Sequence, residues 1–340
     1  MKELLQVRGL GLAGLNSDAP EWDLPNNYIT KGINFRTQTG QIVSSGGWEE
    51  WSTPPSSFNA GFMLYNITDD DDNWIVAGSS AVYSVDASSL VWTDISNTSG
   101  YFDVVDPTQW NGCNLANIAI LNQNEHTPEY FNSTSGLMEY LPFDATDTWN
   151  DKDHHCKVIR THKNFLLALN LTENGVVYED GYRWSHPADI NGLPFTWDET
   201  DVSSIASREN IGGDSGGIID GLSLRDSFVI YSENGINILD FTGDDYVFKK
   251  RELSTSAGLL SRDCVVEVKG VHYFLSDGDV FSNNGTTVDS VMHDKIRKLL
   301  VSSVDNNNFH NSFAIKNEIG KEIYRQEMNR AKDRLRTLGR

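Results

Sequence analysis

Two short stretches carry residues that could do chemistry. GDSGG at 213–217 sets Ser215 among glycines, as for an activated serine nucleophile, and DHHC at 153–156 lines up Asp153, His154, His155 and Cys156. A serine nucleophile needs a histidine base and an orienting aspartate. The eight histidines lie in contexts such as NEHTPE and RTHKNF that supply no such partner, and the spacing predicts Ser215 in an exposed Gly/Ser connection. Adjacent residues of an extended segment alternate between faces, so at most two of the DHHC side chains can reach one ion. DHHC is expected to lead into the strand CKVIRTHKNFLLAL. TDDDDNW at 68–74 lacks the spaced carboxylates of a calcium loop. SDGDVFSNNGTT at 276–287 lacks the register and the tryptophan of a sialidase Asp-box turn, and Glu179, Asp180 and Asp189 are acid/base candidates only as loop carboxylates. No catalytic, cofactor-binding or metal set is therefore assigned.

The elements that must position these residues are strands. Apolar β-branched and aromatic runs alternate with Gly, Asn, Asp and Ser turns, and helical periodicity is nearly absent before residue 290. Five runs share one form, an apolar strand, a polar turn and a second strand. They start at Trp74, Ile118, Phe165, Phe228 and Tyr273, with a sixth start at Ser312. The intervals are 44, 47, 63, 45 and 39 residues, the long one holding the insertion RWSHPADINGLPFTWDETD. A period of about 40–50 residues built from short strands predicts a β-propeller, with one four-stranded sheet per blade. The expected fold is mainly β, a propeller-like body of five to six antiparallel blades with the last incomplete. These starts are expected to be the inner strands, and a β-sandwich pair is the competing fold. The tryptophans are assigned to packing.

Composition narrows the function. Against 27 basic side chains stand 48 acidic ones, a net charge of −21, which repels nucleic acid and anionic membranes at long range. Cys113, Cys156 and Cys264 are odd in number and far apart, so no disulfide framework is implied. No apolar run approaches a membrane span, and no secretory signal opens the chain. The sequons at Asn66, Asn97, Asn132, Asn170 and Asn284 are expected by chance in a chain this rich in Asn, Ser and Thr. Residues 1–50 read as an irregular segment and a hairpin, 51–320 as the propeller body, and 321–340 as a basic amphipathic helical tail that does not complete a sixth blade. From Lys316 onward the local charge is +4, against −25 for everything before it.

Several phrases, in order, resemble a family. The segment LNSDAPEWDLPNNYITKGINFRTQTGQIVSSGGWEEW carries Asp23–Asn26, Asn34–Arg36 and Gly40 where tail nozzle or tubular virion proteins of short-tailed bacteriophages have a DLPPN phrase and a hairpin. YRWSHPADINGLPFTWDETD is similar to that family's RWSDP element, and GLSLRDSFVIYSENGINILDF and GLLSRDCVVEVKGVHYFLSDGDVF resemble its fourth and fifth repeats. The likeness spans roughly residues 15–320 and ends near Ile323. It implies a structural, non-enzymatic tail subunit that assembles as a ring and forms part of the DNA-ejection channel below portal and adaptor. It implies partners in other tail subunits, portal and adaptor proteins and a tail fibre, with DNA met only in passage through an acidic channel. It implies a place in the virion tail after synthesis in the host cytoplasm, and no cofactor. The alternatives are a propeller glycosidase or lyase acting on polysaccharide, and a glycan- or receptor-binding propeller module.

Overall fold

The turn-punctuated apolar runs become short antiparallel strands, each hydrogen-bonded to its neighbour in sequence. The structure, a computed structural model, describes residues 13–32, 35–38, 41–44, 50–56, 58–67, 72–101, 103–190, 192–243, 247–292, 297–304, 308–317 and 322–326. A hairpin comes first, β1 (Phe35–Gln38) and β2 (Gln41–Ser44). The first four-stranded sheet holds β3 (Ala60–Ile67), β4 (Asp72–Gly78), β5 (Val82–Asp86) and β6 (Trp92–Asp94). The second holds β7 (Asn111–Leu115), β8 (Ile118–Gln123), β9 (His126–Asn132) and β10 (Leu137–Tyr140). The third holds β11 (His154–His162), β12 (Phe165–Glu173), β13 (Val176–Trp184) and β14 (Ser207–Asn210). The fourth holds β15 (Ile218–Leu224), β16 (Ser227–Ser232), β17 (Ile236–Phe241) and β18 (Phe248–Ser254). The fifth holds β19 (Val265–Val268), β20 (Val271–Ser276), β21 (Asp279–Asn283) and β22 (Val288–Ser290). Helix α1 (Arg297–Ser303) then leads to a second hairpin, β23 (Phe313–Asn317) and β24 (Glu322–Gln326).

In every sheet the strands lie in chain order. The first strands β3, β7, β11, β15, β19 and β23 contact one another in succession. That is a propeller-like arrangement, with first strands innermost. The repeat starts at Trp74, Ile118, Phe165, Phe228 and Tyr273 fall instead on the second strands, a correction to the strand assignment. No strand pairing among the described residues joins the first sheet to β23 and β24, so the ring is open there.

Local chemistry explains the repeat. Hairpins between first and second strands open on a left-handed residue, Ala116, Lys163, Arg225 and Lys269, with φ of 51°, 54°, 57° and 54°, and Gly270 at 77° follows Lys269 in the same region. Each is the first of two turn residues, and Asn117, Asn164, Asp226 and Gly270 complete the pairs. The apolar faces of neighbouring sheets then pack on one another. Ile75, Trp110 and Leu121 fill the first gap, Ile120, Trp149, Leu166 and Trp197 the second, Leu167, Leu169 and Phe228 the third, and Tyr231, Ile238 and Phe274 the fourth.

Buried polar groups stitch these gaps near the far ends of the second strands, with Asn122 of β8 and Asn170 of β12 reaching the following sheet. Asn122 Nδ2 donates to Cys156 O at 3.0 Å, Asn170 Nδ2 donates to Ile218 O at 3.0 Å, and Trp110 Nε1 donates to Gly78 O at 2.9 Å. Asn111 adds another tie, accepting from Ile159 N at 3.0 Å and donating to Lys157 O at 2.9 Å. Each bond satisfies a backbone group of a neighbouring sheet.

The chain's far end departs from expectation. Residues 322–326, inside the segment assigned to a helical tail, form β24 and pair with β23 from Phe313↔Gln326 to Asn317↔Glu322. Among the described residues the one α-helix is α1, which precedes that segment. Residues 327–340, Asn34, Gly40, Trp48 and Asp69–Asp71 lie outside the described residues. No helix among the described residues is long and apolar enough to cross a membrane.

Candidate functional site

The pleat of the inner strands turns alternate side chains toward the axis, and there the charged residues meet. Gly112 and Cys113 of β7, Arg160 and Thr161 of β11, Asp220 and Leu222 of β15, and Asp263 with Val265 line a cavity of about 280 Å³. Arg160 Nη2 donates to Asp220 Oδ2 at 2.9 Å and to Asp263 Oδ1 at 2.8 Å. Asp220 Oδ2 also accepts the backbone N–H of Asp263 at 2.9 Å. Burial opposes ionisation of Asp263, but Arg160 and Arg262 outweigh it and hold the carboxyl below its ordinary range. One guanidinium thus bridges two carboxylates from two further blades.

Arg262 extends the network across the molecule. It donates to the carbonyls of Thr108, Gln109 and Trp110 at 2.8, 2.6 and 3.1 Å. These carbonyls close the 3-10 helix Pro107–Gln109, whose C-terminal end favours a cation. The fifth sheet is thereby fastened to the entry of the second.

This chemistry is a lock. The guanidinium sits between two carboxylates of opposite charge to its own. Burial pushes the Cys113 thiol up to about 12, so the thiolate is scarce at neutral pH.

A second buried cluster lies in the second sheet. His126 Nδ1 meets Asp103 Oδ2 at 2.8 Å and His126 Nε2 meets Glu129 Oε1 at 3.0 Å. Glu129 also accepts from Asn97 Nδ2 at 2.6 Å and from Tyr101 Oη at 2.9 Å. Burial alone would lower His126, yet the bonds and charges of Glu129 and Asp103 raise it above its ordinary value. The imidazole ring is enclosed by Tyr101, Trp110 and Tyr140. The cluster pins the segment between the first and second sheets.

The residues singled out in the sequence are placed elsewhere. Ser215 lies in the loop between β14 and β15, but it is buried rather than exposed, because the turn at Gly216 folds it under Gly235. The buried histidines bond to other partners, His162 to Ser223 and His272 to Tyr231. In DHHC, Asp153 takes a left-handed turn, and β11 already begins at His154, earlier than the expected lead-in. Cys156 donates to Asn122 Oδ1 at 3.3 Å and is buried, and no cysteine is joined in a disulfide. Asp72, the last carboxylate of the 68–74 stretch, accepts from Tyr65 Oη at 2.9 Å. The 276–287 stretch holds the turn at Asp277–Gly278 and β21, the second strand of the run from Tyr273. Asp180 accepts from Asn210 Nδ2 at 2.7 Å, while Glu179 and Asp189 are exposed and apart from the axis.

The insertion after β13 folds back into the core. Trp197 packs edge-on against Trp149 at 4.9 Å, and the buried Arg183 bonds Glu173 and Glu199 at 2.9 Å each. Three of the five sequon asparagines, Asn66, Asn97 and Asn170, are buried in the folded chain and out of reach of a glycan. Trp22 is exposed rather than packed, while the partly exposed Trp51 packs edge-on against Trp74 at 5.8 Å. The sequence reading passed over Arg160, Asp220, Asp263, Arg262, His126 and Glu129. Their signal is a charge inside an otherwise strand-forming run.

The fold defines the class as a mainly β, propeller-like protein. No family model and no curated protein matches the chain. Among solved structures it is similar to the extracellular domain of a one component system from B. thetaiotaomicron, at 12% identity and TM-score 0.49, covering 84% of this chain and 35% of that one. It is also similar to the extracellular domain of a hybrid two component system from that organism, at 9% identity and TM-score 0.48, with coverage of 84% and 35%. The computationally designed Ika8 protein is a further likeness, at 10% identity and TM-score 0.43, with coverage of 73% and 67%. The chain thus spans about a third of the length of the two B. thetaiotaomicron chains.

Proposed function

We propose that this protein is a non-enzymatic structural subunit of a bacteriophage tail, assembling as a ring that forms part of the DNA-ejection channel below portal and adaptor. The observation that carries this reading is where the charge lies. Among the described residues the buried Asp, Glu, Lys and Arg side chains are only Glu129, Arg183, Asp220 and Asp279, so most of the described acidic side chains lie outside the buried core. A rigid propeller with such an exterior, repeated around a ring, gives a wall that repels phosphates rather than binding them. The ordered likeness of residues 15–320 to tail nozzle proteins points the same way. At the axis, the carboxylates are clamped by Arg160 rather than left as a free acid and base, which favours a scaffold over glycoside hydrolysis.

Assembly tests this directly. Light scattering and electron microscopy of the purified chain with portal–adaptor complexes should show rings capping the adaptor, with no retardation of duplex DNA at low salt. A chain that stays monomeric beside these partners and instead cleaves or retains polysaccharide would overturn the proposal.

A further inference from the structure

The fifth sheet is followed by a half-built one. β23 takes the next innermost position: Ala314 N donates to Asp263 O at 2.8 Å, and Ser261 Oγ and Cys264 Sγ donate to His310 O and Ser312 O at 2.8 and 3.2 Å. β24 pairs with β23, and among the described residues no strand pairs with its outer edge. The hairpin of β1 and β2 likewise pairs with no other strand among the described residues. Two strands at each end of the body add to the number in every complete sheet.

The N-terminal segment already lies beside this corner. Lys298 of α1 donates its backbone N–H to Asp18 Oδ2 at 3.3 Å and its Nζ to Asp18 O at 3.5 Å. Arg297 fixes α1 to the fifth sheet through Gly278 O at 3.1 Å. Ile29 is held to the same segment by the bridge to Leu15. The stretch from Ile29 to Phe35 reaches about 20 Å when extended, room enough to lay the hairpin across one blade.

We propose that the hairpin Phe35–Ser44 of the same chain docks on the free edge of β24 and completes a sixth four-stranded blade. The ring is then closed with strands from both ends of the chain. Pairing removes two open edges that would otherwise template association, and it sets the sixth blade between the fifth sheet and the first. The inference does not depend on the tail-subunit reading.

Hydrogen exchange on the full chain, read by mass spectrometry with light scattering, tests it. Amides of 322–326 and 35–44 should be protected in monomer at low micromolar concentration. Ile42→Pro should speed exchange at 322–326 by at least about tenfold while β12 stays protected. Lysine cross-linking of an equal mixture of light and heavy-isotope chains supplies a reading free of substitutions, with Lys31 expected to join Lys316 within one chain. Fast exchange at 322–326 in the unmodified monomer would overturn the proposal. So would protection that survives Ile42→Pro while the hairpin itself opens. Protection that grows with concentration, together with mixed-isotope cross-links, would overturn it in favour of a second copy. If Ile42→Pro unfolds the whole body, the cross-link decides, and its absence within one chain counts against docking.

Discussion

Two buried ionic clusters hold this propeller, and they differ in the one property that sets how they respond to solution conditions. At the axis the cation is an arginine, charged at every accessible pH, and its partners Asp220 and Asp263 come from other blades. In the second sheet the cation is His126, whose charge depends on Asp103 and Glu129 keeping it protonated. The first ties sheets together permanently. The second ties a loop to its own sheet and is weakened when His126 loses its proton. Placement follows the demand: where several blades converge, the charge is one that never titrates.

The largest expected effect tests the axial half. Asp220→Ala leaves Arg160 short of a buried partner and should cost about 3–5 kcal/mol in urea unfolding. A loss under about 1 kcal/mol would mean the axis is not a lock. Glu129→Gln removes the carboxylate that serves His126, Tyr101 and Asn97 together, and should cost about 1–3 kcal/mol at neutral pH. An equal or larger loss than Asp220→Ala would reverse the ranking of the two clusters.

A third test separates them by pH. The raised His126 binds its proton more tightly when folded, so its contribution is full below its unfolded value of about 6.5 and fades as pH rises through the folded value. His154, His162, His186 and His272 are lowered by burial and act in the opposite sense, their contributions being lost as pH falls. His126→Gln should therefore lose stability on acidification more steeply than the unmodified chain, by up to about 1.4 kcal/mol per pH unit. Parallel curves would mean that folding leaves the His126 proton affinity unchanged, and so that Glu129 and Asp103 do not hold its charge. Arg160 variants should leave this difference intact.

The smallest effect concerns neither cluster. Ser215→Ala should change stability by less than about 1 kcal/mol, since only one buried hydroxyl oxygen is lost. Ser215 should not be labelled by a fluorophosphonate. Labelling would restore the nucleophile reading that both clusters leave no room for.

The second strands were legible because their burial is continuous. IAILNQ and FLLALNL have almost no solvent face, so apolar runs announce them. The first strands were missed because they face the axis, where Asn111, Arg160 and Asp220 interrupt the hydrophobic pattern. The same interruptions hid the candidate site, whose partners are separated by 43 to 154 positions and meet only when sheets pack. β24 escaped for another reason. EIYRQ has helix formers around a strand-forming Ile-Tyr pair, and backbone pairing to β23 overrides that propensity. The turn pairs Ala116–Asn117, Lys163–Asn164, Arg225–Asp226 and Lys269–Gly270 were readable and mark the boundary between first and second strands.

Arg262 changes how the molecule can come apart. Sheets that touch only their neighbours behave as a linear stack, in which an end unit frays first and opening spreads one unit at a time. The reach of this side chain to Thr108, Gln109 and Trp110 skips the third and fourth sheets. Peeling the fifth sheet must therefore also release the second, and the cost of the first step becomes the cost of several at once. Under a pull on its C-terminal end, the body should give way in one abrupt event instead of a ladder of small ones.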